Sequence, residues 1–322
     1  MNAFTFAIAR LRFASLAAVA SLLMAPLSQA ATSGIVGFYQ VPIPAGNSAW
    51  VCGLVTKEVY QGASVTVSTD GNGRAVVSFD APGWTTNEFN LHYAEPASGT
   101  CAGLAIDILS NTDTSLTLDT TPAAAGLTSG MVFSVRKHAT IAGLFPDGGG
   151  FLPFTDSLSL FSSNGTQQSY FFNSINSTWI NALGANSNNV IIRPGQGIVI
   201  QATNALTVTM GKGEVCHVKT TPTKIKANAS VPNLIGALNP LGSTTTLGAL
   251  GITSSLQAYN DSVVVLAPGS LSQTGTYLSN GSNLINGLGQ NASSTSLPSG
   301  ASVVINVDAA KNMALSPVSV SP

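Results

Sequence analysis

The chain has 322 residues, of which only 25 are charged, 12 basic and 13 acidic. That 8% compares with about 25% in an ordinary soluble domain. It excludes a basic face for nucleic acid, an acidic tail, and the high net charge typical of unfolded chains. Glycine, serine, threonine and asparagine supply 125 residues instead, and 44% apolar content can form a core.

The first thirty residues read as a secretory signal peptide. Arg10 and Arg12 precede an apolar run over residues 13–25, and Pro26 breaks its helix. Ser28-Gln29-Ala30 then places small residues at the two positions a signal peptidase inspects. The run is too short for a membrane anchor, which needs about 20 apolar residues. Cleavage after Ala30 leaves 292 residues with 10 basic and 13 acidic side chains, net −3. No later segment is apolar for long enough to span a bilayer. The expected destination is the cell surface or the extracellular space, with the periplasm as the alternative.

Beyond the leader the apolar period is two. Ser64-Val65-Thr66-Val67-Ser68, Ala75-Val76-Val77-Ser78-Phe79 and Ser115-Leu116-Thr117-Leu118 alternate. Ser157-Leu158-Ser159-Leu160-Phe161 and Ala205-Leu206-Thr207-Val208-Thr209-Met210 do the same. Alternation with β-branched residues puts one face in a core and the other in water. Asp70-Gly71-Asn72-Gly73 joins two of these runs as a hairpin turn. Asn164-Gly165, Asn280-Gly281 and Asn286-Gly287 mark further turns. Short helical turns are predicted near 139–144 and 246–250. The fold class is all-β, with repeated sandwich or barrel-like modules.

An internal repeat is visible. Asp156-Ser157-Leu158-Ser159-Leu160 resembles Asp261-Ser262-Val263-Val264-Val265, 105 residues later. Asn181-Ala182-Leu183-Gly184 resembles Asn286-Gly287-Leu288-Gly289 at the same offset, and Ile200 matches Ile305. Asn47 before Trp50-Val51 likewise resembles Asn233-Leu234-Ile235. Ordered matches at one offset predict duplicated β modules. The expected pieces are 31–137, 138–222 and 223–322, with a linker at 219–226.

An ordered set of short motifs runs through these pieces. It comprises Gly34-Ile-Val-Gly-Phe38, Pro44-Ala-Gly46, Pro82-Gly-Trp84-Thr-Thr-Asn87-Glu-Phe89, Phe133-Ser-Val-Arg-Lys-His138, Leu144-Phe145-Pro146 and Pro194-Gly-Gln-Gly197. The set resembles an uncharacterised family of secreted, β-rich bacterial proteins best known from verrucomicrobial genomes. The resemblance implies export, a β-rich body and no assigned enzymatic activity. It also implies an aromatic, Trp-containing stretch in the last module, and residues 280–288 here have no Trp.

Catalytic chemistry is sparse. Asp107, Asp113 and Asp119 read as turn formers and edge charges; a glycosidase needs two carboxyls converging on one sugar bond. His92, His138 and His217 are far apart in sequence, with no zinc-binding spacing. No Gly-x-Ser-x-Gly marks an activated serine. The turns at Asp70 and Asp147 have too few carboxylates for calcium. The six Asn-x-Ser/Thr triplets are what this composition produces by chance. The sequence therefore predicts no catalytic residues, no metal and no cofactor.

Trp84 and Trp179 are the candidate carbohydrate contacts, since exposed rings stack on sugars and buried ones fill cores. Of Cys52, Cys101 and Cys216, the first two fall in one predicted piece and are the candidate disulfide; three buried thiols is the alternative. Ser319-Val320-Ser321-Pro322 lacks the terminal aromatic of outer-membrane barrels. The expected function is a non-catalytic structural or assembly protein of the cell surface or extracellular matrix, self-associating through weakly charged faces. A polysaccharide-binding or adhesion module is the alternative, and a hydrolase with an unrecognised site is third.

Overall fold

The computed structural model describes residues 36–46, 48–52, 58–161, 166–194, 196–214, 223–227, 229, 233–235, 245–267, 270–298 and 301–315. The expected signal peptide, Cys216 and His217 lie outside them. The described chain opens with β1 (Val36–Ile43) and β2 (Ser48–Cys52). Six strands follow: β3 (Glu58–Thr69), β4 (Ala75–Phe79), β5 (His92–Pro96), β6 (Ile106–Asn111), β7 (Ser115–Leu118) and β8 (Val132–Lys137). A one-turn helix, α1 (Pro122–Ala125), separates the last two. Then come β9 (Ala139–Thr140), α2 (Ile141–Leu144), β10 (Ser157–Phe161), β11 (Gln167–Asn173), β12 (Thr178–Asn181), β13 (Ile191–Ile192), β14 (Gly197–Gln201) and β15 (Leu206–Glu214). The last nine strands are β16 (Thr223–Ala227), β17 (Asn233–Ile235), β18 (Thr245–Thr246), β19 (Ser262–Leu266), β20 (Gln273–Ser279), β21 (Leu284–Ile285), β22 (Ser296–Leu297), β23 (Ser302–Asn306) and β24 (Lys311–Leu315). The fold is all-β. Among the described residues no helix is long and apolar enough to cross a membrane.

Strands β3 to β8 close into a barrel in the order β3-β4-β7-β6-β5-β8. Closure requires strands that bend from one partner to the next. β3 does this by pairing first with β8 and then with β4, and its ladder shifts register twice. β6 likewise turns from β5 to β7, with a shift between Ile108 and Ser110. Such bulges kink a strand and increase its twist. The alternation read from the sequence fills the interior: Ala75, Val77 and Phe79 of β4, Leu116 and Leu118 of β7, and Phe133 and Val135 of β8 are all buried.

The barrel is an insertion. β1 pairs with β15 and β2 pairs with β14, both far along the chain and outside the barrel. Residues 36–52 therefore belong with β9–β15, although the sequence grouped them with 58–137. Periodicity locates strands but carries no information about distant partners. The resulting second module has a five-stranded sheet in the order β12-β11-β10-β14-β2. Ile141, Phe145, Phe151, Leu158, Phe172, Trp179, Ile198 and Ile200 pack in its core.

The third module has the same plan without an insertion. Its sheet runs β21-β20-β19-β23-β17, and β16 pairs with β24 as β1 pairs with β15. The registers also correspond. Leu158 lies opposite Ile200 and Trp50 opposite Val199, while Val263 lies opposite Ile305 and Leu234 opposite Val304. Each of Leu158, Ile200 and Val199 stands 105 residues before its counterpart. Of the expected linker, residues 223–226 are part of β16.

Candidate functional site

Trp84 and Trp179, the two candidate sugar platforms, are both buried. Trp84 sits edge-on to Tyr60 and Phe89, with centroids at 4.8 and 5.0 Å, inside the barrel core. Trp179 packs against Phe145, Phe151 and Phe172, and its Nε1–H donates to the Phe145 carbonyl at 3.0 Å. A stacking platform needs a ring face open to solvent, and neither ring has one. The assignment is corrected accordingly: these side chains supply large apolar area to the two cores.

Cys101 is buried in the barrel, its thiol 4.0 Å from the Ser98 carbonyl. The side chain of Cys52 lies outside the described residues, and with it the proposed bridge. The backbone places Cys52 on β2, in the second module's sheet.

Asp107 does more than form a turn. It lies on β6, opposite Tyr93. His138 occupies the single position between the last barrel strand and β9. Its ring is buried, packed on Tyr93 with centroids 4.9 Å apart, and its Nε2 stands 3.1 Å from Asp107 Oδ1. The other carboxylate oxygen accepts from Arg193 Nη2, which comes from the loop after β13. Barrel, connection and second module thus meet at one carboxylate. Burial works to raise the Asp107 carboxyl, but the contacts from His138 and Arg193 and the guanidinium charge outweigh it and hold it at about 2. Sequence reasoning missed the cluster because 86 residues separate Asp107 from Arg193.

A Ser-His-Asp relay needs a hydroxyl hydrogen-bonded to the imidazole. Neither nitrogen of His138 has an aligned hydrogen-bond partner among the described residues. The Nδ1 of His92 pairs with the Asn90 carbonyl at 2.8 Å. Burial, partly countered by that carbonyl, lowers its pKa. The Asp107 cluster is a joint between the inserted barrel and its host.

This joint gives a pH prediction. Asp107 stays ionised in the folded state down to about 2, but unfolded it takes a proton near 3.8. Its contribution is therefore complete above that ordinary value and is lost as pH falls toward 2. Arg193 is half exposed, so solvent screening reduces the interaction to about 1 kcal/mol. Urea titrations of wild type and Arg193→Ala should differ by about that amount at pH 6 and converge near pH 2. A gap that persists in acid would contradict the assignment.

Two further carboxylates are structural and correspond to each other. Asp156 is buried and accepts from the backbone N–H groups of Leu152 and Thr203 at 2.8 and 2.7 Å. Asp261 accepts from Gln257 and Asp308 at 2.7 and 2.9 Å. Each tethers the loop before its central strand to the segment after β14 or β23. Asp261 also pairs with the Lys311 ammonium, whereas Leu206 stands 105 residues before that lysine.

The surface carries matching features as well. After the edge strand β12, Asn181 Oδ1 accepts from the N–H groups of Leu183 and Ala185. After the edge strand β21, Asn286 Oδ1 accepts from Leu288 and Gln290. Gly184 and Gly289 close these turns at φ 76° and 75°, backbone that glycine adopts without cost. The leucine at each tip is 92% exposed at Leu183 and 82% at Leu288.

Among the described residues no group of three His, Cys, Asp or Glu side chains could hold a metal ion. At the Asp70 turn, the carboxylate is engaged by the N–H groups of Asn72 and Arg74. Compared with known protein families, curated proteins and solved structures, the chain matches none of them.

Proposed function

We propose that the chain is an exported, non-catalytic structural or assembly protein of the cell surface or extracellular matrix. One observation carries this reading: the same five-stranded sheet, with the same Asn-anchored edge turn, is built twice from segments without charge. No Asp, Glu, Lys, Arg or His occurs between Asp156 and Arg193, or between Asp261 and Asp308. Faces of this kind neither repel each other nor attract ionic partners. Duplication of one module accounts for the correspondence at 105 residues, and the cleaved leader and the bacterial family resemblance belong to the same proposal.

Light scattering on a gel-filtration column tests it. The purified protein should show a mass above one chain that rises with loading concentration. A strictly monomeric protein up to its solubility limit would overturn the assembly reading. The polysaccharide reading has lost the two tryptophans that motivated it.

A further inference from the structure

The proposed assembly leaves open which surface makes the contact. The two modules expose large apolar side chains at corresponding places. Leu183 and Leu288 crown the edge turns, at 92% and 82% exposure. Phe154 and Tyr259, again 105 residues apart, are 50% and 69% exposed. Both aromatics have positive φ, 56° and 61°, which is unusual for bulky residues. In both cases the backbone N–H bonds across the sheet end, Phe154 to the Phe172 carbonyl and Tyr259 to that of Ser279. A costly backbone conformation that leaves a ring half in water is more easily understood as a contact feature than as a packing feature.

The cores changed more than these tips did. Trp179 corresponds to Leu284, and Leu206 to Lys311, 105 residues on in each case. The exposed leucine is nevertheless the same residue at the same step of the same turn. That turn is rigid, since its asparagine fixes two N–H groups, so the leucine is presented with little ordering cost on binding.

The geometry points to a second copy of this chain as the partner, docked through the Leu183 and Leu288 edge turns. Charge decides the choice of occupant. The segments bearing the two turns contain no Asp, Glu, Lys, Arg or His over 157–192 and 262–307. They offer nothing to an anionic polymer or a charged protein face, while a second copy brings the same uncharged, leucine-tipped edge. A tandem pair on one chain also meets a tandem pair on the next, so two weak contacts reinforce each other. The edge strands themselves are short, four residues in β12 and two in β21, and each turn folds back to bridge its own strand, Ile180 to Asn186 and Ile285 to Asn291. Tip-to-edge packing therefore replaces continuous strand addition.

The inference rests on the assembly reading, and sedimentation velocity separates the two. Wild type, Leu183→Ser, Leu288→Ser and the double variant are compared as full chains over a concentration series. Both leucines are exposed, so the variants fold, which far-ultraviolet circular dichroism checks. Each single substitution should weaken self-association on the order of tenfold, and the double variant should sediment as a monomer. Wild-type association unchanged in the double variant overturns this surface but leaves assembly standing. A monomeric wild type overturns both. A monomeric wild type that binds dextran or another neutral glycan, and loses it in the double variant, assigns the tips to polysaccharide instead.

Discussion

Asp261→Ala is expected to destabilise the third module by about 3–5 kcal/mol. The substitution removes the acceptor for two backbone N–H groups, those of Gln257 and Asp308, and leaves the Lys311 ammonium without its carboxylate. Burial disfavours the Asp261 charge, but Lys311 and the two N–H donors outweigh it and hold the carboxyl below its ordinary range. Removing the cation instead should be far milder. At Asp156 the same two-donor cradle persists with Leu206 where the lysine would stand. Lys311→Leu is therefore expected to cost only about 1 kcal/mol. Guanidinium unfolding of both variants, followed by hydrogen exchange at β19 and β23, measures the contrast. Equal losses would mean that the ion pair, and not the tether, holds the loop.

Trp179→Ala is expected to cost the second module a similar 3–5 kcal/mol. The indole fills a space walled by Phe145, Phe151 and Phe172, and its Nε1–H satisfies the buried Phe145 carbonyl. Truncation opens a cavity among rigid rings and orphans an acceptor. The third module shows why a leucine is no simple replacement. Leu284 succeeds there beside Leu256, where the second module has Phe151 at the corresponding place. The smaller side chain is matched by a different wall. Trp179→Leu should thus lie between wild type and alanine rather than near wild type. Thermal unfolding should show the second module's transition falling while the third module's stays in place; parallel shifts in both would mean that the cores are not separate.

Much of the fold could be read along the chain. The alternating run at residues 75–79 is β4, that at 115–118 is β7 and that at 157–161 is β10. The helical turns foreseen near 139–144 and 246–250 are α2 and the turn at Gly248–Leu250. Local periodicity and turn chemistry are properties of neighbours, so sequence carries them directly. Pairing is not. Nothing in Ser48–Cys52 announces that its partner is Gly197–Gln201, and the three-piece division of the chain missed the crossing. The Trp179 ring poses the same difficulty: a tryptophan that follows Tyr170, Phe171 and Phe172 suits a core by default and a sugar site as the alternative until burial is known. Along the chain Asp107 reads as a turn former or edge charge, because its partners come from a connection and a loop far away in sequence.

The placement of the barrel has a further consequence. Glu58 at the barrel's beginning lies opposite Arg136 near its end, so the chain leaves the second module and returns to it at adjacent points. In the third module the same connection, between β17 and β18, spans only residues 236–244. One slot thus accommodates either a short link or a whole guest barrel, and neither choice alters the pairing of the host sheet. A protein built in this way can change its length at a single position while the sheet around it keeps its pairing.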